Sequence, residues 1–405
     1  MRIVMMKTLG PVLDQAGIGM TLPSGRRLSL PADDQSPDIH FTNWQDCYRL
    51  LATPTLGLAE AYINGRLIFH RGDLYQLLDR AAQTIGSRGF PLTARLRMRL
   101  EKPLRRLMQL NARRQSADNV HHHYDLGSDL YRLFLDQDWQ YSCAYFRHGD
   151  ESLDQAQQEK QAHIARKLRL KPGLRVLDIG SGWGGLACHL ARHHAVKVNG
   201  LTLSHDQLAA ARQRADTDNE TVRFFLRDYR DEKGLYDRIV SVGMFEHVGI
   251  GNYRQFFKKL RSCLKPDGVA LIHTIGNSRP THTADPFIRK YIFPGGFIPS
   301  LSEIMPAVEA SGLMLADLEV LRGHYARTLQ HWRQRFEANR HQVVQLYDER
   351  FARIWAFYLA GCEVSFRHLG LVVFQLQLVA DPAQVPITRD YLYNDTADRE
   401  SRLAE

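Results

Sequence analysis

Residues 175–185 read Arg-Val-Leu-Asp-Ile-Gly-Ser-Gly-Trp-Gly-Gly, and they restrict the chain to a small set of folds. An apolar run ends in a glycine-rich turn, and a helical segment opens at Trp183. Gly180 and Gly182 let a ligand approach the backbone with no Cβ in the way. A helix starting there turns its unpaired N–H groups toward that ligand. Strand, turn and helix in this order predict a nucleotide cradle on a doubly wound α/β sheet. A purely structural strand–helix turn is the alternative for this stretch taken alone.

From about residue 116 onward, strand and helix alternate, which implies a parallel sheet. The pattern predicts strands at 175–180, 196–203, 222–228, 237–243 and 269–275, with helices over 183–194, 205–217 and 252–264. Pro266 and Gly268 are expected to close the last of these helices. A helix near 302–311, stopped by Gly312, follows. The apolar run Leu369–Ala380 is expected to be a strand paired with 313–321, with one long helical stretch over 326–360 between them. The tail after Asp381 is polar and expected to be irregular. Residues 1–115 differ: they hold no glycine cradle, and Asn64-Gly65 predicts a tight turn among short strands and helices. At 405 residues two domains are the default, placed here at 1–115 and 116–405.

The five cysteines are widely spaced with no C-x-x-C pair, which speaks against a disulfide framework or zinc knuckle and for reduced thiols in the cytoplasm. The first residues lack an apolar stretch of signal-peptide length. No run approaches the ~18 apolar residues that span a bilayer. The net charge of +9 favours polyanions, either nucleic acid or an anionic lipid surface. Residues 95–114 concentrate it, with Arg105 and Arg106 among eight basic residues interleaved with leucine and methionine against one acid, Glu101. Such a stretch suits an anionic membrane. A solvated linker packing its leucines on its own protein is the alternative, and Pro103 breaks any continuous helix.

In doubly wound sheets, ligands sit beyond the carboxyl ends of the strands. After the second strand, Thr202 or Ser204 can cap the next helix, and with no acid at this turn Thr202 and Gln207 would share the ribose. After the third, Asp228 can accept from an adenine amino group and Tyr229 can stack on the base, while Arg230 and Asp231 read as solvated charges. After the fourth, Glu246 stands in an apolar context, where a buried acid must be paired or protonated. His247 beside it is ambiguous, since a lone histidine is more often structural. After the fifth, His273 interrupts a buried strand and needs a hydrogen-bond partner. Two more segments stand out, Tyr141–Phe146 and Arg322–Thr328, and no spacing among these residues identifies a metal site.

Taken as an ordered set, the segments YSCAYF, VLDIGSGWGG, LTLSHDQ, RDYRD, MFEHVG, HTIG, KYIFPGGFIPS, HYARTL and GCEVSFR resemble the cyclopropane-fatty-acyl-phospholipid synthase family, with its related mycolic acid cyclopropane synthases. The match runs from about His123 to about Leu378, and a weaker one covers LGLAEAYINGRLIFHRGDL. The resemblance implies an S-adenosylmethionine (SAM)-dependent methyltransferase fold with a smaller mixed α+β N-terminal domain. It implies transfer of a methylene from SAM to unsaturated acyl chains of membrane phospholipids, at an anionic membrane surface and with no nucleic acid partner. A homodimer stays open, as do a methyl-branching enzyme, a small-amine methyltransferase and a lipid-binding protein without chemistry. The family's base is a bound bicarbonate, whose cage carries over to Cys143, Glu246, His273, Ile275 and Tyr325, with Cys143 and Ile275 giving main-chain groups. SAM contacts carry over to Tyr141 and Ser142, to Val176, Leu177, Asp178, Ile179, Gly180, Ser181, Gly182, Trp183 and Gly184, to Thr202, Leu203, Ser204 and Gln207, and to Asp228, Tyr229 and Arg230. Cys362 matches a cysteine sometimes assigned to the active site, but its apolar surroundings favour packing. Phe287–Pro299, with Tyr291, Phe293 and Phe297, is apolar enough for an acyl channel or for ordinary core.

Overall fold

The computed structural model describes residues 7–88, 127–215, 221–280 and 285–393. The basic stretch 95–114, and with it the expected domain boundary near 115, lies outside the described residues.

The first elements of the described residues that carry the fold are helix α1 (Gly10–Ala16) and strands β1 (Gly19–Thr21), β2 (Arg27–Ser29) and β3 (Asp38–Phe41). Helices α2 (Trp44–Ala52) and α3 (Pro54–Ile63), strand β4 (Leu67–Arg71) and helix α4 (Leu74–Arg88) follow. The four strands form their own sheet in the order β2-β1-β3-β4, over a core that includes Met20, Ile39, Phe41 and Cys47. The Asn64-Gly65 turn is present, but it joins α3 to β4, with Asn64 as C-cap and Gly65 at φ +67°.

After α5 (Ser128–Arg132) and α6 (Leu153–Leu168) the second sheet begins. Its strands are β5 (Arg175–Ile179), β6 (Lys197–Thr202), β7 (Val222–Leu226), β8 (Tyr236–Val242), β9 (Leu264–Asn277), β10 (Met314–Leu321) and β11 (Leu371–Val379). They are ordered β10-β11-β9-β8-β5-β6-β7. The pairs among β5 to β9 are parallel, as the strand–helix alternation implies. β11 runs antiparallel between β9 and β10, so the expected pairing of the last strand with 313–321 is present. β8 is buried along nearly its whole length, and its polar residues are bonded within the fold: Asp237 accepts from the Arg175 N–H at 2.8 Å and Ser241 donates to the Ile179 carbonyl at 2.9 Å.

Helices α7 (Gly185–His194), α8 (His205–Ala215), α9 (Tyr253–Cys263) and α10 (Leu301–Glu309) connect these strands. Three expectations need correction. The helix after the glycine turn starts at Gly185, not Trp183, because Gly184 is its N-cap at φ +83°. Pro266 and Gly268 do not stop α9; the backbone already turns extended at Leu264, and both residues belong to β9. The single helix expected over 326–360 is three: α11 (His324–Ala338), α12 (Arg340–Leu346) and α13 (Glu349–His368). Asn339 ends the first, and the Asp348 carboxylate restarts the last by accepting from the Phe351 N–H at 2.6 Å. α13 buries Trp355, Phe357 and Tyr358 in an aromatic core shared with Tyr131, Phe134, Trp183 and Trp332. Each such ring contributes roughly 2–3 kcal/mol by leaving water.

Candidate active site

A pocket opens beyond the carboxyl ends of β5, β6 and β8, at the point where a doubly wound sheet binds its ligand. Of the residues named for the cofactor, Tyr141, Ser142, Asp178, Ile179, Gly180, Ser181, Gly182, Trp183, Thr202, Leu203, Gln207, Asp228, Tyr229 and Arg230 line it. Val176, Leu177, Gly184 and Ser204 do not. Val176 and Leu177 lie in the sheet core. Gly184 faces Phe224, whose ring a Cβ would meet at 2.6 Å. Ser204 has the capping role, its Oγ accepting from the Gln207 N–H at 3.2 Å.

Inside the pocket, Thr202 donates to Gln207 Oε1 at 2.9 Å, which ties together the two side chains assigned to the ribose. Arg230 is not a solvated charge: its guanidinium grips the Asp228 carboxylate at 2.9 and 2.5 Å, and Asp228 also accepts from the Arg230 N–H at 2.9 Å. Asp178 is enclosed, burial lifts its carboxyl to about 7, and its Oδ2 has no partner. Further lining residues were not assigned to the cofactor from the sequence, among them Trp139, Gln140, Gly185, Met244 and His247. His247 and Met244 sit inside the MFEHVG segment already singled out, and Trp139 and Gln140 immediately precede Tyr141. Burial holds the His247 imidazole down at about 4.

Of the other candidate residues, Glu246, Ile275, Tyr325, Cys143 and Cys362 gather around the end of β9. β8 ends at Val242, opposite His273, while β9 continues to Asn277. The Ile275 N–H therefore lies past the last paired residue of β8. Glu246, on the turn after β8, fills that vacancy: its Oε1 accepts from Ile275 N at 2.5 Å. The other oxygen, Oε2, is buried without a partner. Burial raises the Glu246 carboxyl to about 7 against the pull of the Ile275 bond. Ile275 thus spends its main-chain donor on Glu246. Tyr325, at the start of α11, is buried with its phenol pushed well above the ordinary range by desolvation, and its electrostatic neighbours include Tyr358, Cys143, Cys362 and Glu246. Burial also raises the Cys143 thiol, whose Sγ donates to the Ala144 carbonyl at 3.3 Å. Cys362 packs, partly buried, against the aromatic core, and desolvation lifts its thiol to about 12. A thiol held so high is a poor nucleophile.

His273 stands two residues earlier on β9. Its Nδ1 meets Gln375 Nε2 of β11 at 3.1 Å, and burial depresses the imidazole to about 3, so it is neutral. With the amide donating to Nδ1, the ring carries its proton on Nε2. Phe287 and Phe297 are buried, Phe287 against Phe357 of α13, while Phe293 packs edge-on to Tyr358. Among the described residues, no group of three or more His, Cys, Asp or Glu is placed to hold a metal ion, and no helix is long and apolar enough to cross a membrane.

Residues 111–376 match the family described as mycolic acid cyclopropane synthetase. A probable fatty acid methyltransferase of Pseudomonas putida is 42% identical over 294 residues, covering 69% of this chain and 75% of its own length. The cyclopropane-fatty-acyl-phospholipid synthase of Escherichia coli is 39% identical over 341 residues, covering 84% and 87%. A mycolic acid cyclopropane synthase crystallised with SAH and CTAB superposes with a TM-score of 0.61 at 35% identity, over 65% of this chain and 97% of that one. With matched residues running through the glycine turn, the Glu246 turn, β9 and α13, this chain belongs to the mycolic acid cyclopropane synthetase family of SAM-dependent enzymes.

Proposed function

We propose that this protein transfers a methylene group from SAM to the cis double bond of unsaturated acyl chains in membrane phospholipids, with bound bicarbonate as the base. The observation that carries this reading is the buried Glu246 carboxylate, with one oxygen on the Ile275 N–H and the other without a partner. An enclosed oxygen of this kind fits a ligand that presents a hydroxyl hydrogen. SAM occupies the pocket past β5, β6 and β8, with the glycine turn at its methionine part and Asp228 and Tyr229 at the base.

The alkene attacks the sulfonium methyl, S-adenosylhomocysteine leaves, and a carbocation forms on the chain. Bound bicarbonate would supply the base that takes a proton from the transferred carbon as the ring closes. Cys143, Glu246, His273 and Tyr325 would hold it, with Ile275 acting through the Glu246 carboxylate that its N–H fixes, Glu246 Oε2 accepting its hydroxyl hydrogen and neutral His273 donating from Nε2. An alkene is a poor nucleophile, so the chain must exclude water and set the sulfonium in line. The aromatic walls from α13 and Phe287–Pro299 supply that dry surface. The N-terminal domain and the basic stretch 95–114 present the lipid at the inner, cytoplasmic face of the membrane. Neutralising Arg105 and Arg106 should then weaken binding to anionic vesicles, more visibly at low salt.

A second reading has support in the fatty acid methyltransferase among the relatives: the same attack, followed by loss of a different proton, leaves a methyl branch. SAM bearing a trideuterated methyl separates them. A cyclopropane retains two deuteriums from it, and a methyl branch initially retains three. Mass spectra of the product lipids with three retained deuteriums would replace the ring-forming reaction with methyl branching.

A further inference from the structure

One charged group near the pocket has no part in the reaction described so far. Lys160 lies on the inner face of α6 and is wholly buried, which is rare for a lysine. Its Nζ donates to Gln140 Oε1 at 2.6 Å and to Ser142 Oγ at 2.9 Å. One turn earlier on the same helix, Gln157 Nε2 donates to the main-chain carbonyls of Gln140 at 3.2 Å and Ser142 at 3.0 Å. α6 therefore holds this short segment by both its backbone and its side chains. Gln140 and Ser142 both line the pocket.

An ammonium has hydrogens and no lone pair. Ser142 Oγ must accept from it, which leaves the serine's own hydrogen to donate. Gln140 must turn its carbonyl oxygen to Lys160, so its NH2 faces the other way. That nitrogen lies 2.4 Å from where a Cβ on Gly185 would stand, at the first residue of α7. The two side chains thus present donors to the pocket beside the N-terminus of α7. Both hydrogen-bonded partners of Lys160 are neutral, and the carboxylates that act on it, Asp136 foremost and then Asp138 and Asp178, make no hydrogen bond to it. A buried ammonium not bonded to any of its acids still favours an anion arriving close by.

We infer that Lys160 is the positioning residue for the carboxylate of the cosubstrate's methionine part, setting Gln140 and Ser142 as donors without touching the ligand itself. The inference rests on the reading of this pocket as the SAM site.

Calorimetric titration with SAM and with decarboxylated SAM, the same sulfonium lacking only the carboxylate, tests it. Lys160→Met should weaken SAM roughly ten- to a hundredfold, the scale of hydrogen bonds to a charged group. Decarboxylated SAM should bind the variant as it binds the wild type, within about threefold. A scaffolding role would weaken both compounds alike, and that result, or no change in either, overturns the inference. Should Lys160→Met fail to fold, the double variant Gln140→Leu, Ser142→Ala keeps the lysine and must show the same selective loss; equal losses overturn the inference there too. A wild-type chain that binds neither compound overturns the cosubstrate reading first, and the inference with it.

Discussion

Glu246 is where structure and chemistry bear most directly on each other. Its carboxyl moves from 4.5 to about 7 because burial penalises the ionised form more than the Ile275 N–H favours it. An acid whose pKa rises on folding costs stability as pH climbs. The cost is absent below 4.5 and complete above about 7. Glu246→Gln keeps an acceptor for Ile275 and removes the charge, so it should gain on wild type across that window, by roughly 3 kcal/mol at most. Urea midpoints at pH 4 and pH 8 measure this, and an equal gap at both pH values would remove Glu246 as the titrating group. The same variant should lower turnover about a hundredfold or more, the range of a lost acid–base function. SAM affinity should stay nearly constant, because Glu246 is proposed to hold the base rather than the cosubstrate; an equal loss of SAM binding would move it into the cofactor site. Glu246 was visible in the sequence as an acid in an apolar context at a strand end. Its partner was not, because the Ile275 N–H becomes available only where β9 outruns β8. Gln375 and Lys160 were equally hidden: each meets its polar partner from another element, Gln375 across 102 residues of sequence.

The glycine turn works through φ and through space, and the two can be separated. Gly182 has a positive φ and no atom within 4 Å of a Cβ, whereas Gly184 has φ +83° and the Phe224 ring 2.6 Å away. Gly184→Ala therefore carries both strain and a clash with the core between α7 and β7, and should cost on the order of 2–4 kcal/mol. Gly182→Ala carries strain alone, on the order of 1–2 kcal/mol. Denaturant titration of the two variants should rank them in that order; a reversed order would mean that the Phe224 ring moves freely aside. The strands around this turn were readable because buried parallel strands are short apolar runs between turn residues. α6 was missed, although Ser152 and Gln155 form a capping box at its start. The split of 326–360 into three helices was not readable. Asn339 and Asp348 look like tolerable helix residues until their positions as C-cap and N-cap are seen. The placement of β11 between β9 and β10 also depends on tertiary pairing, which periodicity does not encode.

The N-terminal sheet and the catalytic sheet meet chiefly across one helix, α13. Asp79 of α4 bonds His368 at 2.8 Å, the ring of Tyr62 on α3 packs against Phe357, and Glu60 accepts from Lys290 at 2.6 Å. The exposed members of these ion pairs contribute little on their own. The closer determinant is backbone approach: a Cβ on Gly86 of α4 would stand 2.3 Å from the His368 carbonyl oxygen. That oxygen belongs to the last residue of α13 and cannot rotate away, so Gly86→Ala must push α4 off the helix. α13 also carries Tyr358, which bonds Tyr141 of the pocket wall at 2.7 Å, and Cys362 beside Tyr325. Displacement of α4 is therefore passed on to the site through α13. Gly361, in the middle of the same helix, makes the comparison internal, since a Cβ there meets nothing within 4 Å. Gly361→Ala should stabilise by about 0.5–1 kcal/mol through helix propensity, and Gly86→Ala should destabilise by about 1–3 kcal/mol despite the same gain in propensity. Opposite signs in the unfolding midpoint, with faster proteolysis of residues 7–88 only in Gly86→Ala, are expected if α13 joins the two sheets. Two stabilised proteins would mean that α4 and α13 can part without cost, and that α13 does not hold the N-terminal sheet to the site.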